Sequence, residues 1–222
     1  MNILVCISKA PDTTSKINFE ENNTKFSEAG VQFIVNPYDE WYALVRALEL
    51  KEAGGGKVSV VSVGGADYDA IIRKALAIGA DDAFRIDAVP TDSMQCASEI
   101  ATFAKDKGFD LILCGKETID YNGSNVAGMI AAILDLPFVS NAIKLDVNGS
   151  EATVERDNQG GTEVLGAQLP AVISCAKGMA EQRIPNMRGI MAARSKPLTV
   201  VPSSGAEPTT QVKSFSLPAE KG

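Results

Sequence analysis

The sequence contains no histidine among its 222 residues. Histidine is the commonest general base and the commonest zinc ligand, so most hydrolase and metalloenzyme mechanisms are disfavoured. The chain also lacks a CxxC motif, and Cys6, Cys96, Cys114 and Cys175 are widely spaced, mostly within apolar runs. This usage is typical of buried free thiols in a reducing cytoplasm. No nucleophile with a base partner is visible, so we expect no catalytic residues and no bound metal.

Positive charge and long apolar runs are scarce as well. The formal net charge is −7 at pH 7, whereas nucleic-acid binding needs a basic field that neutralises phosphate. The opening "MNILVCI" has no basic segment before its apolar residues, and no run approaches the ~18 apolar residues of a membrane span. We therefore expect a cytoplasmic protein with no nucleic-acid partner and no membrane insertion.

Short apolar strands alternate with helical patterns through the first half of the chain. The strand-like runs "ILVCI", "KVSVVSVGG", "DAFRID" and "FDLILCG" are separated by stretches with apolar residues at helical spacing. This alternation predicts an α/β fold, in which a mostly parallel sheet has helices on both faces. In such folds, ligands bind outside the carboxyl ends of the strands.

The second half of the chain has a different pattern. Residues 140–176 alternate apolar and polar residues around Asn148-Gly149 and Gly160-Gly161, which predicts an antiparallel extension. We expect one domain over residues 1–200. The Pro-, Ser- and Thr-rich residues 201–222 should form an extended tail that needs a partner to become ordered.

The segment "NPYDEWYALVRALELKE", after the first predicted strand, begins with residues typical of a helix N-terminus. Asn36 can cap the helix, Pro37 suits its first position, and Asp39 and Glu40 complement its positive end. The apolar residues that follow repeat at helical spacing and predict a face packed on the core.

The stretch "CGKETIDYNGSNVAGMIAAIL" joins a predicted strand to a predicted helix. A helix N-terminus at the carboxyl edge of a sheet can bind an anion. Gly115 and Gly123 permit close backbone approach, and Ser124 and Asn125 can add donors to a phosphate. From this stretch alone, a nucleotide site and a plain connecting loop are both open. A second glycine loop, "SVGGADYD", ends a neighbouring strand and favours the nucleotide.

Several motifs together resemble one family. They are "VNPYDEWYALVRALELKE", "RKALAIGADDAFRI", "DLILCGKETID", "VERDNQGGTEVLGAQLPAVIS" and "IPNMRGIMAARSKP". In order and spacing, from about residue 2 to residue 201, they resemble the β subunit of electron transfer flavoprotein. The most specific motif covers residues 154–173, with its Gly-Gly turn and its Leu-Pro strand entry.

The resemblance implies an adenine-nucleotide α-hydrolase-like fold and a heterodimer with a larger α subunit. It further implies FAD held mainly by the α subunit, and a structural AMP in the β subunit. Electrons would pass from acyl-CoA dehydrogenases or similar flavoenzymes to a quinone reductase or another acceptor. An alternative within the family is an electron-bifurcating flavoprotein, in which a second FAD takes the place of AMP.

The resemblance also implies site residues. The expected cofactor-binding set around the AMP is Cys6, Ile7, Asn36, Val63, Asp120, Gly123, Ser124, Asn125 and Val126. Asn125 followed by Val126 departs from the family's usual Gln followed by Val or Thr, and "DYNGSNVAG" is not a close match to the bifurcating motif. We therefore expect AMP, with its phosphate held mainly by backbone N–H groups.

Two further segments are expected to contact partners. Residues 177–197 are locally basic, and the resemblance makes them the recognition segment for dehydrogenases, with Met187 as the apolar anchor beside Arg183, Arg188 and Arg194. A solvated helix face is the alternative. Arg156 and Asp157 precede the Gly-Gly turn, where the family holds the mobile flavin domain of the α subunit. An ordinary ion pair at a strand end is the alternative there.

Two other function classes can be weighed against an electron carrier. An ATP pyrophosphatase or adenylating enzyme needs an SGGxDS-type loop after the first strand, and "CISKAPDTT" contains none. A nucleotide-sensing stress-type module predicts a self-sufficient homodimer, and the antiparallel extension and the basic segment have no role in it. A turnover assay with ATP and the oligomeric state without a partner would discriminate these classes.

Overall fold

A computed structural model describes residues 1–219. Its helices are α1 (Asp39–Gly54), α2 (Asp69–Ile78), α3 (Ser93–Ala104), α4 (Val126–Leu134) and α5 (Met187–Ala193). The first seven strands are β1 (Asn2–Cys6), β2 (Lys9–Pro11), β3 (Phe19–Glu20), β4 (Lys25–Phe26), β5 (Phe33–Val35), β6 (Lys57–Val63) and β7 (Asp82–Asp87). The remaining strands are β8 (Leu111–Gly115), β9 (Phe138–Asn148), β10 (Glu151–Asn158), β11 (Gly161–Gln168), β12 (Ala171–Cys175) and β13 (Leu198–Pro202).

Within residues 1–219, nine strands form one sheet in the order β11-β10-β9-β12-β8-β1-β6-β7-β13. All neighbours from β9 to β13 in that order run parallel, and β9, β10 and β11 pair antiparallel. The predicted α/β class is therefore confirmed. A short hairpin around Asn22 and Asn23 is formed by the β3–β4 pair.

Helices cover both faces of this sheet. Alternate residues of β1 point to opposite sides, so Ile3 and Val5 pack against α1 and α2, while Leu4 and Cys6 pack against α3 and α4. Both apolar clusters are almost free of solvent exposure, and the central strands are buried on both faces as parallel strands require. Within residues 1–219, no helix is long and apolar enough to cross a membrane.

One strand of the predicted antiparallel extension belongs to the parallel part of the sheet. β9 and β10 pair antiparallel on either side of the predicted Asn148-Gly149 turn. β12, in contrast, runs parallel to both β8 and β9. All five residues of β12 are buried. The prediction over 140–176 was therefore wrong for its last strand, because the chain returns to the sheet interior after the β10–β11 hairpin.

The start of α1 also differs from the prediction. The helix begins at Asp39 after Tyr38, whose φ is 67° and whose side chain makes no capping hydrogen bond with the described residues. Asn36 lies outside the helix and is fully buried. Its amide bonds a distant loop, described below, because tertiary partners are available there.

The chain after α5 remains with the sheet for longer than the sequence indicated. β13 pairs with β7 as a parallel edge strand. Beyond it, the tail is extended and contacts α3: the Glu99 carboxylate accepts hydrogen bonds from the N–H groups of Ser204 and Ala206. The tail was expected to need a partner to become ordered, but residues 203–206 are held on α3 of the same chain. Residues 220–222 of the expected tail lie outside the described residues.

Candidate nucleotide site at the carboxyl edge of the sheet

Three central strands end side by side at one edge of the sheet. β1 lies between β6 and β8 and runs parallel to both, so Cys6, Val63 and Gly115 mark neighbouring strand ends. Cys6, Ile7 and Val63 are all less than 9 % exposed. The Ile7 N–H donates to the carbonyl of Val61 at 3.0 Å, which extends the pairing one residue beyond β1. At this edge, the buried residues Cys6, Ile7 and Val63 form an apolar floor, together with the backbone atoms of the strand ends.

Asn36 joins two loops at this edge. Its amide nitrogen donates to the carbonyl of Glu117 at 3.0 Å, and its amide oxygen accepts from the N–H of Ile119 at 2.9 Å. The predicted site residue is thus at the edge, but its side chain shapes the loop after β8. Asp39 also holds the loop after β8, because its carboxylate accepts a hydrogen bond from the N–H of Glu117 at 3.3 Å.

Glu40 makes the corresponding connection to the loop after β1. Its carboxyl oxygens accept hydrogen bonds from the N–H of Ser8 at 2.7 Å and from the Ser8 hydroxyl at 2.8 Å. The side chain is buried, and burial raises the pKa of Glu40 to about 8 even though the Ser8 hydrogen bonds act in the opposite direction. Neither residue was predicted as part of the site.

Gly115 allows α1 to approach this edge. A Cβ atom built on Gly115 would lie 2.7 Å from Cγ of Glu40 and 2.9 Å from its backbone nitrogen. Any side chain at this position would push the helix start away from β8. Glycine is therefore required at position 115 by the close approach of α1 to the end of β8.

The loop from residue 116 to residue 125 carries the predicted phosphate contacts. Asp120, Gly123, Ser124 and Asn125 are exposed, and Val126 begins α4. Asn125 precedes the helix without a side-chain cap, and within the described residues no N–H of residues 123–127 donates a hydrogen bond. The first turn of α4 therefore presents a run of free donors, which is the arrangement that binds anions.

Acidic side chains limit what this loop can hold. The Ser124 hydroxyl donates to Glu117 at 2.8 Å, so it is engaged within the loop. Lys116 pairs with Glu117 at 3.0 Å, and hydrogen bonds from Lys116 and Ser124 lower the pKa of that carboxyl. The backbone N–H groups and the exposed side-chain amide of Asn125, which makes no hydrogen bond within residues 1–219, are therefore the donors available to an anion here.

Thiols line the inner side of the edge. Cys6 and Cys114 lie near the ends of neighbouring strands, and the nearby Cys114 thiol together with burial raises the pKa of Cys6. Burial also raises the pKa of Cys96, to about 12. These thiols are poor nucleophiles at neutral pH. Across the described part of the chain, no cluster of three or more acidic or cysteine side chains could hold a metal ion.

The predicted recognition segment is a separate surface. Met187 is 73 % exposed and begins α5, beside the exposed side chains of Ile184 and Met191. Arg188 and Arg194 are exposed, and neither forms an ion pair within residues 1–219. Arg183 differs, because it pairs with Glu52 of α1 at 2.6 Å.

Contacts with α2 hold this segment in place. Arg73 donates hydrogen bonds to the carbonyls of Ala193 and Lys196, and Lys196 donates to the carbonyls of Leu76 and Ala80. Lys196 is therefore part of the attachment and not of an exposed basic face. The apolar side chains of the segment are presented on a fixed support.

Arg156 and Asp157 lie on β10 near the Gly-Gly turn. Arg156 pairs across the hairpin with Glu163 at 2.7 Å, which matches the alternative of an ordinary ion pair at this position. Asp157 is exposed. The two residues are adjacent in sequence but point to different surroundings.

Ser8 and Glu40 were missed by the sequence reasoning, although one signal was present. Glu40 shares its helix face with Ala43, Leu44 and Ala47, all of which are buried. An acidic residue on an apolar face requires a hydrogen-bond partner, so the spacing alone marks Glu40 as unusual. Nothing local identifies Ser8 as that partner, since it lies 32 residues away.

Comparisons with known proteins give one consistent result. Residues 23–206 match the family model described as the electron transfer flavoprotein domain. The chain is 38 % identical to the electron transfer flavoprotein subunit beta of Bacillus subtilis, over 89 % of this chain and 77 % of that protein. It is 38 % identical to the subunit of the same name from Syntrophomonas wolfei, over 100 % of this chain and 87 % of that protein.

A third relative carries a different name. The chain is 32 % identical to the caffeyl-CoA reductase-Etf complex subunit CarD of Acetobacterium woodii, over 100 % of this chain and 90 % of that protein.

Proposed function

The chain belongs to the electron transfer flavoprotein family as a relative of its β subunits, and on this premise we propose that it pairs with an α subunit, holds a structural AMP and helps to bind FAD. The relatives named as subunits of this family are electron carriers. In this proposal the chain has no catalytic residues of its own. The single observation that carries the AMP is the run of N–H groups at residues 123–127 without a partner in residues 1–219, which lies at the same edge of the sheet as the buried ends of β1 and β6.

The residues at this edge fit an adenine nucleotide. Cys6, Ile7 and Val63 offer apolar surface and backbone groups to a planar base. The unpaired N–H groups that start at Gly123 suit a phosphate, and α4 adds the positive end of its dipole. Asn36 keeps the phosphate loop in place through Glu117 and Ile119. We assign no group here to acid or base catalysis.

FAD supplies the redox chemistry of the complex, and most of its contacts belong to the α subunit. In our proposal, this chain contributes to FAD binding by positioning the α subunit. Asp157 is exposed at the end of β10 and available to the flavin domain, while the Arg156–Glu163 pair stiffens the hairpin beside it. Residues 1–200 would form the nucleotide-binding domain that presents these contacts.

The proposed electron donors are acyl-CoA dehydrogenases or similar flavoenzymes, with a quinone reductase or another acceptor downstream. The relative from Acetobacterium woodii is named for a complex with caffeyl-CoA reductase, which supports a partner enzyme that acts on a CoA thioester. Met187 would enter an apolar pocket of the dehydrogenase, and the unpaired Arg188 and Arg194 would speed encounter with an acidic rim. The free thiols of the chain fit a reducing compartment such as the cytoplasm.

The decisive experiment identifies the nucleotides of the native complex. The chain is expressed with its α subunit, the complex is purified and denatured, and the released nucleotides are identified by chromatography and mass spectrometry. One FAD and one AMP per heterodimer would support the proposal. Two FAD would identify an electron-bifurcating flavoprotein instead, and the absence of any adenine nucleotide beyond the FAD of the α subunit would refute the site at the carboxyl edge.

A further inference from the structure

Glu40 is the least explained polar residue near the candidate site. It is 6 % exposed, lies in the first turn of α1 and contacts Gly115. A buried carboxyl group without partners is strongly unfavourable, so its hydrogen bonds determine where it can be. Both of its oxygens are used by one residue, Ser8.

Ser8 is the second residue after the end of β1. The residues before it, Cys6 and Ile7, form part of the apolar floor proposed for the adenine. Ser8 is fixed at both its N–H and its hydroxyl, and its own carbonyl accepts from the N–H of Asn36 at 3.3 Å. The chain leaving β1 is therefore attached at three points, two on Glu40 of α1 and one on Asn36 just before the helix.

We propose that Glu40 is a positioning residue of the nucleotide site, which acts through Ser8 to fix Cys6 and Ile7 against the base. The inference rests on the proposed function, since it assumes an adenine nucleotide at the carboxyl edge. Glu40 does not itself touch the nucleotide in this account. Its effect is to keep the floor rigid, so that the site is formed before the nucleotide binds.

Three single variants of the intact heterodimer, and the double variant of Ser8→Ala with Glu40→Ala, test this role. Glu40→Ala removes both acceptors, Glu40→Gln keeps the shape and the capacity to bond both Ser8 groups, and Ser8→Ala removes only the hydroxyl. The rate at which bound nucleotide exchanges with isotope-labelled AMP is measured, and the FAD content serves as an internal reference.

We expect Glu40→Ala to exchange AMP about tenfold faster, the effect of losing a buried hydrogen-bonded acceptor, and Glu40→Gln to stay within about twofold of the wild type. Ser8→Ala should lie between them. In the Ser8→Ala background, Glu40→Ala should have a smaller effect than in the wild type, because the two residues act as one unit. Equal exchange in the wild type and Glu40→Ala would overturn the inference.

Amide hydrogen exchange separates this inference from the proposed function. Faster exchange at residues 7–10 in Glu40→Ala, with the wild-type rate restored in Glu40→Gln, would support the positioning role whichever nucleotide is present. Unchanged exchange at residues 7–10 would refute it even if AMP were found. A third result is possible, in which the complex contains no AMP but residues 7–10 exchange faster in Glu40→Ala. In that case Glu40 fixes the loop after β1 as proposed, and only the assignment of AMP to the site is wrong.

Discussion

The rings of Phe19 and Phe215 stack with their centroids 5.2 Å apart and an interplanar angle of 15°. Phe19 belongs to the β3–β4 hairpin near the beginning of the chain, and Phe215 lies in the C-terminal tail. The Phe215 N–H also donates to the carbonyl of Asn23, at 2.6 Å. Between this contact and β13, the tail passes the N-terminus of α3. It is therefore fixed at both ends of its course over residues 203–215.

Asp92 provides the middle attachment of the tail. One carboxylate oxygen accepts from the N–H groups of Thr209 and Thr210, and the other caps α3 through the N–H of Gln95. In Asp92→Asn, the amide oxygen can still cap α3, but the amide nitrogen cannot accept from the tail. We expect faster amide exchange over residues 207–219 and unchanged exchange in α3.

Asp106→Asn is the matched control for that change, because Asp106 is exposed just beyond the other end of α3. The hydrogen bonds that Asp92 accepts lower the pKa of its carboxyl. The tail contact should therefore be present at neutral pH and be lost only as the pH falls through that lowered value. Equal protection of the tail in Asp92→Asn and in the wild type would contradict the assignment.

Gly115→Ala tests the packing of α1 against the end of β8. The added Cβ would lie 2.7 Å from Cγ of Glu40, so either the helix or the strand must move. Overpacking of this kind costs about 1–3 kcal/mol of the free energy of unfolding. We expect a lower denaturation midpoint in urea and loss of AMP from the purified heterodimer.

Gly54→Ala is the control for Gly115→Ala. Gly54 ends α1, and a Cβ atom built on it meets nothing within 4 Å. This substitution should be neutral or slightly stabilising, since alanine is the better helix former. If Gly115→Ala were as stable as Gly54→Ala, the close approach of Glu40 to β8 would be wrong.

Glu40 should also give the protein a specific dependence on pH. Burial raises the pKa of its carboxyl from an ordinary value of 4.5 to about 8. The folded state thus binds one proton more than the unfolded state between these values, so stability falls as the pH rises through this window. The slope is at most about 1.4 kcal/mol per pH unit, and it ends above the folded pKa.

Glu40→Gln should remove this contribution, because an amide does not titrate. The measurement is the apparent melting temperature of the heterodimer from pH 5 to about pH 9, with Glu207→Gln, at an exposed glutamate, as the control. The electrostatic environment of Glu40 also includes Asp39, Asp120 and Cys96. The informative quantity is therefore the difference in melting temperature between the wild type and Glu40→Gln at each pH, and not the shape of either curve alone. Parallel curves for the wild type and Glu40→Gln would exclude a raised pKa at this residue.

The elements of the fold with strong periodicity could be predicted from the sequence. α2, α3 and the central parallel strands follow from local pattern, because burial on one or both faces determines which residues are apolar. Asn36 shows the limit of that reasoning. Its place before Pro37 indicated a cap, yet its amide partners are in a loop more than 80 residues away. Local pattern contains no information about such pairings.

The two strands that were misassigned illustrate different limits. β12 is apolar and fully buried, a sign of a central parallel strand that was available in "AVISC". β13 was missed although "LTVV" is a short β-branched run, because this run leads directly into the Pro-, Ser- and Thr-rich tail. The family resemblance supplied the site residues, whereas the contacts of Ser8, Asp39 and Glu40 came only from the structure. Their roles depend on contacts between α1 and two loops.

Met187→Ala tests the proposed recognition segment. The side chain is 73 % exposed, so its loss should leave the melting temperature of the heterodimer unchanged. If Met187 enters a pocket on the donor, truncating it should lower kcat/KM about tenfold for reduction of the complex by an acyl-CoA dehydrogenase from the same organism. Val89→Ala is the control, because Val89 is 77 % exposed on another surface.

Gly189→Ala tests whether the segment must also be held in position. A Cβ atom at Gly189 would overlap the carbonyl oxygen of Ala77, so α5 would have to move away from α2 while Met187, Arg188 and Arg194 remain chemically intact. We expect kcat/KM to fall as in Met187→Ala, now with a lower melting temperature. If Gly189→Ala lowered the melting temperature alone, the orientation of α5 would not matter for docking. If Met187→Ala behaved like Val89→Ala, residues 177–197 would be a solvated surface and the dehydrogenase would bind elsewhere.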